Sequence, residues 1–146
     1  MTSTQQRPTA VDTTSLAARL GQAAMAIVLA IVSVLLLVTT HRVELTVLGA
    51  DLPAGLLFGA AFQAVVCLFL WSATGTRFPL LVLGSLWGLL AGPFLGEGAG
   101  GGVLMPAVIA EQTQYSGWIV QGIGILIPFA LALVITVAGR GRSRAR

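Results

Sequence analysis

The chain has 146 residues, 56% of them apolar and only 9% charged, with a formal net charge of +3 and a mean hydropathy of +0.94. A soluble domain wets its surface with roughly 25% charged residues, so this composition excludes a globule in water and makes lipid the solvent for most of the surface. The eight basic residues are all arginine, and four of them close the chain as Arg140, Arg142, Arg144 and Arg146. A basic tail on an apolar body points to a membrane-side anchor rather than to nucleic acid.

Residues 1–18 are rich in Thr, Ser and Gln. They predict a flexible cytoplasmic tail, with an interfacial turn around Leu16 to Leu20. The first apolar run, Leu20 to Val38, is long enough to cross a hydrocarbon core of roughly 30 Å. It is too long for a signal-peptide core, and Val38-Thr39-Thr40-His41 lacks the small residues of a cleavage site, so it reads as a retained helix. A short polar stretch with His41, Arg42, Glu44 and Asp51 follows.

Pro53 opens the second run, which extends to Trp71. The turn over 72–77 is short, and short turns join antiparallel neighbours; helices two and three are therefore expected to pair as a hairpin. Pro79 stands at the first position of helix three, where its missing N–H costs nothing. That run ends near Leu95. Residues 96–116 form the longest connection, glycine-rich at its start, with an apolar piece from Val103 to Ala110 that is too short to span. It reads as a shallow interfacial segment or a plug resting on the bundle. The last run is Gly117 to Val137, followed by the basic cytoplasmic tail at 139–146.

The fold expected from this pattern is all-α: a polytopic membrane protein with four transmembrane helices, at about 20–38, 53–71, 79–95 and 117–137, in one domain covering 19–138. With four spans, Arg7, Arg19, Arg77 and the four tail arginines share one side, while Arg42 stands alone on the other. Basic residues near helix ends are retained in the cytoplasm. The predicted orientation is therefore N-in and C-in, in the cytoplasmic (inner) cell membrane. Trp71 and Phe78 then fall at the inner interface and Tyr115 and Trp118 at the outer, the level that amphipathic rings favour. Trp87 falls at mid-span, which calls for packing against a neighbouring helix or a partner's.

Gly84, Gly88, Gly92 and Gly96 recur every four residues in helix three. Such spacing makes a small-residue face along which another backbone can approach closely. Gly55 and Gly59, with Ala60 and Ala64, offer a counterpart on helix two. Two uses are open: packing within one chain, or docking to another membrane subunit or a second copy. Intramembrane polarity is sparse, and Gln63 and Gln121 are the candidate polar contacts. A buried glutamine serves most simply as a hydrogen-bonding link between helices, with a substrate contact as the sharper alternative.

No Asp, Glu, Lys, Arg or His falls within the four runs. Proton-coupled transporters need an ionisable residue at depth, and the small four-helix multidrug exporters depend on a membrane-embedded glutamate. The chain lacks one. Gly96 to Gly101 match G-x-G-x-x-G, but the dinucleotide motif needs a strand before it and a helix after it; here a membrane helix precedes it. One histidine with Glu44 nearby makes no metal site, and His41 is expected to be a solvated outer-edge residue. Glu97 and Glu111 have no neighbouring base to complete a catalytic pair. The single cysteine, Cys67, forms no internal disulfide and reads as a small buried hydrophobe. Pro128 and Pro93 each free backbone carbonyls that a neighbour must satisfy.

The stretches Ser85-Leu86-Trp87-Gly88, Gly92-Pro93 and Tyr115-Ser116-Gly117-Trp118 give the chain its one family likeness. Over residues 20–137 it resembles the small four-helix integral membrane proteins of actinobacteria grouped as a family of unknown function. The resemblance implies the four-helix fold and carries over no activity and no catalytic residue. The leading functional expectation is a non-enzymatic accessory or scaffold subunit that packs through its glycine-faced helices two and three, with no cofactor. The alternative is a small carrier or lipid-binding bundle using Gln63 and the outer loop; an outward-facing enzyme built on Glu97 or Glu111 is the weakest reading.

Overall fold

The computed structural model describes residues 15–95, 105, 108–109, 112–113 and 115–144. It is all-helical in its main elements. Helix α1 spans Leu16–Thr40, α2 Ala54–Thr74, α3 Phe78–Ala91 and α4 Ser116–Arg144, with a short 3-10 turn at Gly92–Phe94 prolonging α3. Three of these, α1, α2 and the Ser116–Arg140 part of α4, are long and apolar enough to cross a membrane, and the Phe78–Phe94 segment is shorter.

Helix boundaries follow local chemistry. The Ser15 hydroxyl accepts from the Ala18 N–H at 3.2 Å and caps α1, satisfying one of the orphan donors of a helix start. The helix thus begins at Leu16, inside the stretch expected to be tail. Gly75, at φ 64°, ends α2 in the left-handed conformation, its N–H returning to the Trp71 carbonyl at 2.8 Å; this is the glycine C-cap. In α3 the first residue is Phe78, which puts Pro79 one position further in than expected. At the other end α4 continues past Gly139 to Arg144, so the basic segment starts as a helical extension.

The polar stretch after α1 is a β-hairpin. Strands β1 (Leu45–Val47) and β2 (Ala50–Leu52) pair antiparallel with Thr46 opposite Asp51, and the Thr46 hydroxyl donates to Asp51 Oδ1 at 2.8 Å. Leu48 and Gly49 make the two-residue turn with φ of 55° and 83°. Positive φ at both positions matches the right-handed twist of the strands. A second small ladder joins β3 (Val108–Ile109) to β4 (Gln112–Thr113).

Around the bundle, α3 packs most extensively on α1 and α4, and α2 packs on α4 and α1, while α2 and α3 meet only sparsely. Consecutive helices α2 and α3 are therefore diagonal partners, not the adjacent hairpin that the short turn implies. The geometry permits it. Helix axes 8–10 Å apart give a diagonal of about 11–14 Å, and the steps from Thr74 to Phe78 reach roughly 13–14 Å when extended. A tie between Thr76 and α1 holds the turn in this course, with the Thr76 hydroxyl donating to Gln22 Oε1 at 3.0 Å.

The core forms two layers. Ala26, Ala30, Cys67, Leu70, Leu80 and Leu83 are fully buried in the layer toward the turn. Val34, Leu37, Trp87, Ala91, Met105 and Val120 fill the layer toward the hairpin. Phe62 and Leu90 pack against both.

Candidate functional site

The chemistry-bearing groups of the interior lie where the two layers meet. Gln63, fully buried on α2, donates from Nε2 to the main-chain carbonyl of Gly124 on α4 at 3.1 Å. Gly124 is four residues before Pro128, which lies inside α4. An α-helix bonds each N–H to the carbonyl four residues earlier, and proline has no N–H to give. The Gly124 carbonyl is thus the acceptor that Pro128 leaves without its helical donor, and Gln63 supplies the replacement. The second amide atom, Gln63 Oε1, is buried without a hydrogen-bond partner among the described residues.

Trp87, also fully buried, donates from its indole Nε1 to Ser33 Oγ on α1 at 2.7 Å. Its ring lies on Gly124, so closely that a Cβ built there would overlap the indole carbons. One backbone position on α4 therefore receives the Gln63 amide on its carbonyl and the Trp87 ring on its Cα. Together these contacts link α1, α2, α3 and α4 at mid-height. Trp87 packs against its own chain, not a partner's helix. The link to Ser33 was not legible beforehand, because both residues are polar only at one atom and belong to helices distant in sequence.

The glycines divide between two seams. Gly84 faces Phe129 and Pro128, with a built Cβ 3.0 Å from Phe129 Cε2, and Gly88 faces Ile125 at 3.3 Å from Cδ1. Both look at α4. Gly92 has nothing within 4 Å, and Gly96 lies outside the described residues. Residues four apart advance by about 40° beyond a full turn, so by Gly92 the register has rotated off the seam. Gly55 and Gly59 face α1: a Cβ at Gly55 would strike the Thr40 carbonyl, and one at Gly59 would come within 2.8 Å of Leu37 Cγ. Neither pair is the other's counterpart, since α2 and α3 are diagonal.

At the hairpin end, His41 is only 5% exposed, not solvated as expected. Its Nδ1 lies 2.8 Å from the Val38 carbonyl, and Nε2 is buried without a partner among the described residues. Met105 enters the core layer toward the hairpin, held by a bond from its N–H to the Phe94 carbonyl at 3.0 Å, with Gly117 leaving room beside it. Gln121 lies on α4 and is half-buried. Glu97 and Glu111 lie outside the described residues. Among those that are described, no three His, Cys, Asp or Glu side chains gather as metal ligands.

No protein-family model, curated protein or solved structure matches the chain.

Proposed function

We propose that the chain is a four-span protein of the cytoplasmic membrane, with both termini in the cytoplasm, that works as a non-enzymatic accessory or scaffold subunit. The fourth span is α3 with its 3-10 extension. Fourteen α-helical residues and three 3-10 residues rise about 27 Å, close to the hydrocarbon thickness of roughly 30 Å. Leu80, Leu83, Trp87 and Ala91 are fully buried along that length, which supports a helix at the same depth as its neighbours. For orientation, the bonds from Thr76 to Gln22 and from Arg77 to Thr136 gather the turn, the start of α1 and the end of α4 at one end. Arg19, Arg77 and Arg140 sit within that group, and arginine-rich ends are retained in the cytoplasm.

The observation that carries the functional reading is Trp87, which fills the middle of the bundle against Gly124 and Ser33. A bundle packed solid at mid-height offers its surfaces rather than a path, and the amide nitrogen of Gln63, the residue of the carrier reading, is engaged with Gly124. The outer hairpin supplies a surface suited to a partner: Leu45, Val47 and Leu52 are exposed, and Leu48 is fully exposed at its tip. Contiguous apolar patches on a protruding element mark protein or membrane contacts.

The test is affinity isolation of the full chain from native membranes in mild detergent, comparing wild type with Leu48→Asp. A defined partner that co-purifies with the wild type and is lost from the variant supports the accessory role. A lone monomer in both samples sinks it.

A further inference from the structure

We propose that the Arg77–Arg140 end of the bundle binds one phospholipid with an anionic phosphate headgroup, its acyl chain lying along the α3–α4 seam. Two adjoining open clefts, of about 530 Å³ and 430 Å³, share Arg77, Thr136 and Arg140. The first is otherwise bounded by the turn residues Gly75 and Thr76 together with Ile135 and Gly139 on α4. The second runs on over Leu81, Phe129 and Leu133, all of them exposed. A polar, doubly cationic head thus opens directly into an apolar trough.

The register of the two helices produces this arrangement. Arg77 and Leu81 are four apart on α3, and Phe129, Leu133, Thr136 and Arg140 are spaced by four, three and four on α4. Each set lies on one helical face, and the faces meet along the seam. From Phe129 to Arg140 the head and trough together run about 17 Å at the α-helical rise; the apolar stretch from Phe129 to Thr136 is about 10 Å of that, within the depth of one leaflet, roughly 15 Å.

Charge selects the headgroup. No acid lines either cleft among the described residues. Arg77 donates from Nη1 to Thr136 Oγ1 at 2.7 Å, and that hydroxyl donates onward to the Ala132 carbonyl at 2.7 Å. The guanidinium is therefore oriented by a fixed neighbour, while a planar fork of five donors retains capacity for phosphate oxygens. A free phosphate would use the head of this site and leave the trough empty; the continuous apolar wall favours the lipid. The inference rests on the membrane reading only in needing this end at a bilayer surface, on either side.

Native mass spectrometry of the full chain in mild detergent tests it, with equal amounts of dioleoylphosphatidylglycerol and dioleoylphosphatidylcholine added. The wild type is expected to retain the anionic lipid preferentially, and Arg77→Gln with Arg140→Gln to lower that retention by roughly thirtyfold, the factor two interfacial arginines supply. Leu133→Trp, which narrows the trough and leaves both charges, is expected to lower it as well, and covers the case in which the double variant fails to fold. Equal retention of the two lipids by the wild type would overturn the proposal. So would unchanged retention in both variants, or displacement of the lipid by an equal concentration of inorganic phosphate. A reporter that contradicts the four-span topology leaves this measurement standing, and the reverse holds too.

Discussion

Gln63 donates to the carbonyl of Gly124, the one acceptor in α4 whose helical donor Pro128 removes. In lipid no water reaches such a carbonyl, so a side chain of a neighbouring helix must serve it. Replacing Gln63 by Leu is expected to destabilise the fold by about 1 kcal/mol, the scale of interhelical hydrogen bonds in membranes. Pro128→Ala restores an N–H at the right place, so Gln63→Leu costs less in that background. Thermal unfolding in detergent of the two single variants and the double variant reads the coupling; strictly additive effects would mean that the two residues are unrelated.

Gly124 also accommodates the Trp87 ring, and a methyl group there overlaps the indole. Overpacking of a rigid aromatic costs roughly 1–3 kcal/mol. Gly124→Ala is expected to lower the unfolding temperature clearly, and Trp87→Leu to remove most of that penalty when combined with it. The combined variant still loses the bond to Ser33, so it does not return to wild-type stability.

The glycines of α2 and of the α3 segment occupy unequal positions. Gly55→Ala meets the Thr40 backbone, which cannot swing aside, whereas Gly92→Ala meets open space. The first is expected to cost several kcal/mol or prevent folding, and the second to stay within about 0.5 kcal/mol of wild type, as substitutions away from such contacts usually do. Detergent-solubilised yield and melting temperature distinguish them. Equal sensitivity at both sites would contradict the two-seam packing.

Leu48 adopts φ 55° at a turn position that asparagine and glycine fill most readily. A non-glycine residue in that region carries roughly 1–2 kcal/mol of strain. Leu48→Asn is expected to stabilise the hairpin and slow amide exchange at Val47 and Ala50. Faster exchange would show that the leucine side chain holds the turn through contacts of its own.

The helices themselves were legible because apolar length is a strong signal, but their limits were less so: the Ser15 cap starts α1 at Leu16, Phe78 rather than Pro79 opens α3, and α4 runs on to Arg144. Helix order around the bundle was not: a short turn after Thr74 allows either an adjacent or a diagonal partner, and the choice depends on long-range packing such as Thr76 with Gln22. The hairpin escaped notice for a related reason. Leu45-Thr46-Val47 and Ala50-Asp51-Leu52 carry the period-2 alternation of strands, but Leu48 stands where Asn, Asp or Gly normally advertises such a turn before Gly49. Of the central contacts, Gln63 and Pro128 were each visible as problems needing a partner. That each answers the other required the diagonal arrangement, which sets α2 beside α4.

Cysteine accessibility in intact cells tests the four-span claim most directly. In a Cys67→Ala background, Leu48→Cys, Thr76→Cys and Tyr115→Cys report on the hairpin, the α2–α3 turn and the start of α4. A membrane-impermeant maleimide is expected to label positions 48 and 115 from outside, and position 76 only after permeabilisation. Labelling of position 115 only after permeabilisation, together with position 76, would mean that α3 does not cross.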